Sequence, residues 1–392
     1  MPLYRDPRRK DFLYEVIKVQ TCSGEPLEVT TASGTSTYVQ PAGMAGDAFG
    51  RTRVSAPLTL FDSSHRYNDN GLWATSSGTG GTSAFNANEG LVDLNVTTAS
   101  GSEIIRETTK VCSYQPGKSL LFMSTFVMNT AKANLRQRVG YYGAANGMYL
   151  EVSGTTGPTL VERSSVSGSV AETRVAQANW NIDKLDGNGP SGFTLDITKA
   201  QILWFDIEWL GLGTVRAGFV INGSFIHCHS FHHANLITST YITTASLPLR
   251  YEITNVGTTA SSSTLKQVCS TVLSEGGYEL RGAQSAIGTP VASPRDLTVI
   301  STEYPVISIR LKSTRLDAIV ILTALSIMGI TNNSNYNWKV IVGGTTTAGS
   351  WDTTGATTSV EYNITGTSFT MGTGRVLASG FATGSNQGST VV

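Results

Sequence analysis

The sequence predicts an all-β protein: an antiparallel β-sandwich of the jelly-roll kind, a second and smaller β domain after it, and an extended N-terminal arm before it. Three observations predict this. Short apolar runs alternate at period two, the strand period, and no window carries a long amphipathic helix. Turn signals recur every eight to twelve residues or so, the spacing of a sandwich. Glycine is abundant at 41 residues and charged residues make up only 14% of the 392, which suits strands and turns better than helices.

The arm is assigned to residues 1–50. It carries Pro2, Pro7, Pro26, Pro41 and Gly43, with basic charge gathered at Arg5, Arg8, Arg9 and Lys10. Such a segment is either an exposed terminus or an arm that orders on a neighbouring subunit, and Arg8, Arg9, Arg51 and Arg53 are its candidate assembly residues.

The sandwich is assigned to residues 51–285. Residues 54–61 read as a strand, 62–71 as a loop and 73–88 as a polar connection. Residues 91–96 and 104–111 alternate, with Ser100-Gly101 expected as a hairpin between them. Strands follow at 119–128, 135–142, 148–152, 159–163 and 170–175, with Asn146-Gly147 as a second hairpin; glycines and Pro190 then make 179–196 a loop. Residues 201–233 form the densest apolar and aromatic run. Leu203, Phe205, Ile207 and Trp209 share one face there, and Ile202, Trp204, Asp206 and Glu208 the other. A turn at 210–213 and the Asn222-Gly223 signal make this run a three-stranded meander, expected at the centre of the sandwich. Residues 241–244 and 249–255 are expected to close the sheet, and 265–272 to add an edge.

The C-terminal β domain is assigned to residues 286–392, after the linker 282–296. Its strands are expected at 297–300, 306–312, 318–325, 338–342, 359–364 and 374–381, and its tail is low-complexity.

Composition narrows the function. Lys plus Arg and Asp plus Glu both number 28, a formal charge of zero. Nucleic acid and anionic membranes are met through clustered basic charge, so neither is expected as a partner. The scattered Cys22, Cys112, Cys228 and Cys269 form no C-x-x-C pair and read as free buried thiols. The N-terminus lacks an apolar signal region, and the run 318–330 is shorter than the ~20 residues a membrane helix needs, so a protein made soluble inside a cell is expected.

Three constellations could carry chemistry. Asp206 and Glu208, two apart on a strand, would lie about 6.6 Å apart on one face, a spacing that suits acid/base work in glycoside hydrolysis. Residues 204–211 resemble the signature strand of laminarinase- and lichenase-type glycosidases, which have a concanavalin-like jelly roll. Trp204 stands where that pattern has its nucleophile, which argues against turnover. His227 and His229 could ligate a metal, although no carboxylate close in sequence completes a set. Arg136, Arg138, Arg163, Arg174 and Arg216 are dispersed among strands, as ion pairs and bidentate interface contacts would be. Trp73, Trp180 and Trp351, if exposed, could stack on sugar rings.

Longer motifs carry a resemblance. Phe49-Gly50-Arg51-Thr52-Arg53-Val54-Ser55, Leu60-Phe61-Asp62-Ser63, Tyr114-Gln115-Pro116-Gly117-Lys118-Ser119, residues 175–183, Gly189-Pro190-Ser191-Gly192, Glu208-Trp209-Leu210-Gly211, Val215-Arg216-Ala217-Gly218-Phe219 and residues 247–253 occur in order. Together they resemble a family of virion structural proteins of tailed phages, above all those of marine cyanobacteria. The resemblance implies a β-rich, non-enzymatic particle component made in the host cytoplasm and present in several copies. Virion β-sandwiches assemble around an axis, so a homo-oligomer is expected, most simply a trimer, that contacts other virion proteins and holds no cofactor. The alternative reading is a carbohydrate-binding module that meets a host glycan, and a further one a glycoside hydrolase using Glu208.

Overall fold

A computed structural model describes residues 56–277, 279, 282–315, 318–330, 334–372, 374–384 and 390–391. The arm, with Arg8, Arg9, Arg51 and Arg53, lies outside these residues, as does Cys22. The chain divides into two compact units, the second beginning at Glu279. Both are built from antiparallel strands.

In chain order the first unit contains β1 (Pro57–Ser64), β2 (Trp73–Ser77), β3 (Thr82–Asn86), β4 (Leu91–Val96), β5 (Glu103–Thr108), β6 (Leu120–Val127), β7 (Leu135–Tyr142) and β8 (Gly147–Ser153). It continues with β9 (Thr159–Ser164), β10 (Ala171–Ala176), β11 (Gln201–Ile207), β12 (Val215–Ile221), β13 (Ser224–Phe231), β14 (Leu249–Asn255) and β15 (Ser263–Glu275). They form two sheets. The first runs β13-β12-β11-β6-β15-β4-β3, with β1 added alongside β15; the second runs β10-β9-β8-β7-β14-β5-β2.

Alternation explains the packing between them. On β11, Leu203, Phe205 and Ile207 are fully buried, and on β14 so are Leu249, Tyr251 and Ile253. Phe122 stacks on Phe205 at 4.9 Å and approaches Tyr141 of the opposite sheet at 5.1 Å, so aromatic rings span the gap between the sheets. The β12–β13 turn is Asn222-Gly223, with φ of 52° and 79°, the left-handed pair that a two-residue hairpin of the expected kind requires.

Several expectations are corrected. Ser100-Gly101 closes no hairpin: β4 and β5 belong to different sheets, and the 97–102 turn carries the chain from one to the other. The β11–β13 meander flanks its sheet, with β13 at the edge, because β11 pairs with β6 on its other side. β15 is no edge. Its first half pairs with β4, its second half with β1, and its other side with β6. An irregularity between Gln267 and Ser270 lets β15 change partners and turns Cys269 outward, so that thiol is exposed while Cys112 and Cys228 are buried. The connection 73–88, expected to be polar, contains β2 and β3, edge strands mostly of Ser, Thr and Ala that each place one aromatic ring, Trp73 or Phe85, in or against the core. Residues 241–244 form no strand.

The second unit contains β16 (Ser308–Leu311), β17 (Ser326–Ile327), β18 (Asn335–Val342), β19 (Thr345–Thr347), β20 (Asp352–Thr353), β21 (Val360–Asn363), β22 (Ser368–Thr370), β23 (Arg375–Thr383) and β24 (Thr390–Val391). They make one three-stranded sheet, β16-β21-β20, and three two-stranded ones. The strands expected at 297–300 and 318–325 do not form among the described residues. Ala382 is the one buried hydrophobic side chain described in this unit.

Phe205→Ala should cost the sandwich about 3–5 kcal/mol through lost burial and a residual cavity. Urea unfolding followed by tryptophan fluorescence measures this, and a loss under 1 kcal/mol would contradict the packing described.

Candidate functional site

The two carboxylates stand in different surroundings. Asp206 points outward beside its cross-strand partner Arg216 and is ion-paired with it. Burial raises the Asp206 pKa, and the Arg216 charge only partly offsets this. β11 ends at Ile207, so Glu208 leaves the strand and is exposed. Trp204 is buried, its Nε1 donating to the Phe219 carbonyl at 3.2 Å, and its ring fills the space that a Cβ on Gly218 would occupy.

The histidine pair is split. β13 shifts register at Cys228, so His227 pairs with Gly218 and His229 with Ala217, and adjacent residues of β12 face opposite sides. The extra residue therefore sends the two imidazoles to different faces. His229 Nδ1 accepts the Asn181 N–H at 3.2 Å, and burial, with His227 and His232 nearby, lowers its pKa to about 4. No group of three or more metal-ligating side chains occurs among the described residues.

The tryptophans are corrected for the same kind of reason. Trp73 lies in the core against Phe61 and Tyr251, and its Nε1 donates to Ser63 Oγ at 2.8 Å. Trp180 is only 2% exposed and stacks over Phe219. Neither offers a ring face to a sugar. Trp351 is half-buried, with the Arg310 guanidinium 3.9 Å above its ring.

The dispersed arginines do converge. Arg136 and Arg138 on β7, Arg163 on β9, Arg174 on β10 and Arg250 on β14 all project from the outer face of the second sheet, where Glu151, Glu172 and Glu252 alternate with them. Glu252 takes Arg136 at 2.9 Å, Arg250 at 3.0 Å and Arg138 at 3.3 Å. Arg138 also holds Glu151 at 2.7 Å, while Arg163 and Arg174 each meet Glu172 at 2.7 Å. Arg174 also reaches Glu151. Beneath the ions lie Tyr142 and Tyr149, fully buried with ring centres 4.5 Å apart, covered by the guanidiniums of Arg138, Arg163 and Arg250 at 5.1–5.8 Å. Gly140 makes this possible: opposite Tyr149, a Cβ there would sit 2.3 Å from the Met148 carbonyl oxygen. Arg216, grouped with these arginines by sequence, stands on the other sheet.

This face holds charge in place. Burial works to raise the Glu172 pKa, but the Tyr149 hydroxyl at 2.7 Å with Arg163 and Arg174 outweighs it and brings it down to about 2. Burial likewise opposes Glu252, and Arg138, Arg250 and Arg136 still leave its pKa lowered. Burial pushes the Tyr149 hydroxyl up. A carboxylate so held is a poor proton carrier near neutrality.

Two further ion pairs, one buried and one between a buried arginine and an exposed aspartate, escape sequence reasoning. His233 bonds Glu162 at 2.8 Å and stacks on Tyr241 at 4.0 Å; the pair is 71 positions apart in the chain. Arg106, 1% exposed, makes a two-pronged contact with Asp69, both arms at 2.8 Å, and bonds Gln267. An alternating strand with one arginine on its inner side is the single sequence signal for that site. Beside the 177–195 loop lie two shallow depressions of about 350 and 290 Å³, whose lining mixes apolar side chains such as Leu185, Leu195 and Ile182 with polar ones such as Lys184, Asp186 and Asn188.

No protein-family model and no curated protein matches the chain. Among solved structures it is similar to a carbohydrate esterase of Shiga toxin-encoding bacteriophage phi24B, with 15% identity over 57% of this chain and 100% of that one, TM-score 0.35. It is also similar to a botulinum neurotoxin serotype D/C binding domain, with 9% identity over 56% of this chain and 49% of that one, TM-score 0.34. A third likeness is to the carbohydrate recognition domain of Emp47p, with 12% identity over 54% and 91%, TM-score 0.32. The chain thus spans about half the length of the toxin domain. Likenesses this loose transfer neither an activity nor a ligand.

Glu172, held near 2 against an ordinary 4.5, stabilises the fold above about pH 4.5, and this is lost as pH falls towards 2. Glu172→Gln should therefore flatten the acid limb of urea midpoint against pH. For His233 burial works downwards, but the Glu162 bond and charge prevail and its pKa is raised above 6.5. Its contribution is complete below about 6.5 and fades as pH rises through the folded value, so His233→Gln should narrow the stability gap between pH 6 and pH 8. Unchanged slopes in both variants would contradict these assignments.

Proposed function

We propose that the chain is a non-catalytic, self-associating structural component of a tailed-phage particle. The observation that carries this is the second unit, where many apolar side chains stand in solvent and Ala382 is the one fully buried hydrophobic side chain among its described residues. Ile300 is 94% exposed, Phe381 73% and Leu322 65%. Apolar side chains exposed in this way mark a protein–protein surface, and two-stranded sheets are at best marginal alone in water. The ordered series of virion-family motifs supports the particle assignment and, with it, contacts to other virion proteins.

The ionic face of the sandwich supports the same reading. Its carboxylates are each shared among guanidiniums and stiffen the sheet, and the pair Asp206 and Glu208 lacks a nucleophile beside it. The expected behaviour is a homo-oligomer, a trimer being the simplest, with no turnover of polysaccharide.

A second reading, carbohydrate binding at the sandwich, is favoured by the amide, carboxylate and ammonium groups around the 177–195 depressions, which suit sugar hydroxyls. Glycan-array binding lost on Asn181→Ala and Asn188→Ala would support it.

Native mass spectrometry of the full chain at micromolar concentration should give a homo-oligomer, and peptides of the chain should appear in gradient-purified virions. A monomer at every concentration, or virions lacking the chain, would overturn the proposal.

A further inference from the structure

We propose that residues 318–325, AIVILTAL, are a donated strand that pairs with the second unit of another copy of this chain. The inference rests on the self-association reading and names the segment that performs it.

The segment has every local reason to be a strand. It is rich in β-branched and apolar residues, and it holds no glycine or proline. Yet no strand forms there, and residues 319–325 make no backbone hydrogen bond to another described residue. Its side chains are open on both sides at once: Ile319 is 41% exposed, Val320 40%, Ile321 46% and Leu322 65%. In a strand packed on one face, alternate residues would be covered. Here neither set is.

The same unit supplies what the segment lacks. β18 and β23 pair only with each other among the described strands, so each presents an open edge, and Val376 and Leu377 on β23 are exposed beside it. An open edge is a row of unsatisfied donors and acceptors that another strand can satisfy.

The presence of both an unpaired segment and an open edge on one chain favours a second copy as occupant, and charge does not oppose it. No charged residue occurs from 318 to 338, so this stretch neither attracts a charged partner nor repels its own kind. Each copy then carries both the donor segment and a receiving edge. Head-to-tail donation of this kind closes into a ring if the rotation permits, and otherwise continues as a fibre.

The test compares the full chain with Ile321→Pro, which removes a pairing N–H, and Val320→Lys, which charges the segment. Both sites are exposed in the single chain, so the sandwich should fold unchanged, as its thermal transition will report. The wild type should be an oligomer by light scattering, with slow amide hydrogen exchange across 319–325, and both variants should associate at least ten-fold more weakly. Variants that remain oligomeric at the same concentration, or wild-type oligomers whose 319–325 amides exchange freely, would overturn the donated strand and leave self-association standing. Protection that appears only when a different virion protein is added would overturn the choice of a second copy. A wild type that is monomeric throughout would remove the self-association reading together with this one.

Discussion

A β-sheet in water must cover at least one of its faces, and the two units of this chain meet that demand in opposite ways. The first unit meets it internally. Two sheets turn their alternate residues towards each other, and rings such as Phe122, Phe205, Tyr141 and Tyr251 fill the space between. Burial of that size is the dominant favourable term in folding, so every other feature of the sandwich is arranged around it. In the second unit, among the described residues, one face of β18 is half-covered and many other apolar groups face outward.

The outer face of the second sheet shows a further solution to the same demand. Among the described residues of this unit no third layer of structure lies on it. Instead a lattice of five arginines and three central glutamates roofs over two tyrosines, with Gly140 leaving room for one of the rings. Buried ion pairs are costly when one partner is missing and close to neutral when all are satisfied. Here the pairing is shared, since Glu252 alone serves three guanidiniums. That density of mutual contacts makes a rigid surface and leaves these carboxylates little freedom for proton transfer.

Much of the sandwich was legible in the sequence, because period-two alternation and Asn-Gly turns are local signals. β6, β7, β8, β11, β12 and β14 lie where that pattern places them. What it could not supply was partnership. Whether Ser100-Gly101 closes a hairpin or crosses between sheets depends on where β5 finds its neighbour, and the place of β15 depends on residues far along the chain. Edge strands such as β2 and β3 escaped notice because they need little apolar character. The candidate site was legible in kind only. The arginines were visible as ion-pair residues, but their gathering on one face, and the Glu162–His233 pair, are products of the fold. The metal pairing of His227 with His229 failed through a single extra residue, Cys228, which periodicity cannot detect. In the second unit, 318–325 has the composition of a strand and remains unpaired in the single chain.

The central claim is that the second unit is incomplete in one chain and completed by others. Differential scanning calorimetry over a hundred-fold range of concentration tests it most directly, because a fold stabilised by association gains stability by mass action. The account predicts two transitions, one fixed for the sandwich and one for the second unit whose midpoint rises with concentration. Transitions that all stay put across that range would contradict it.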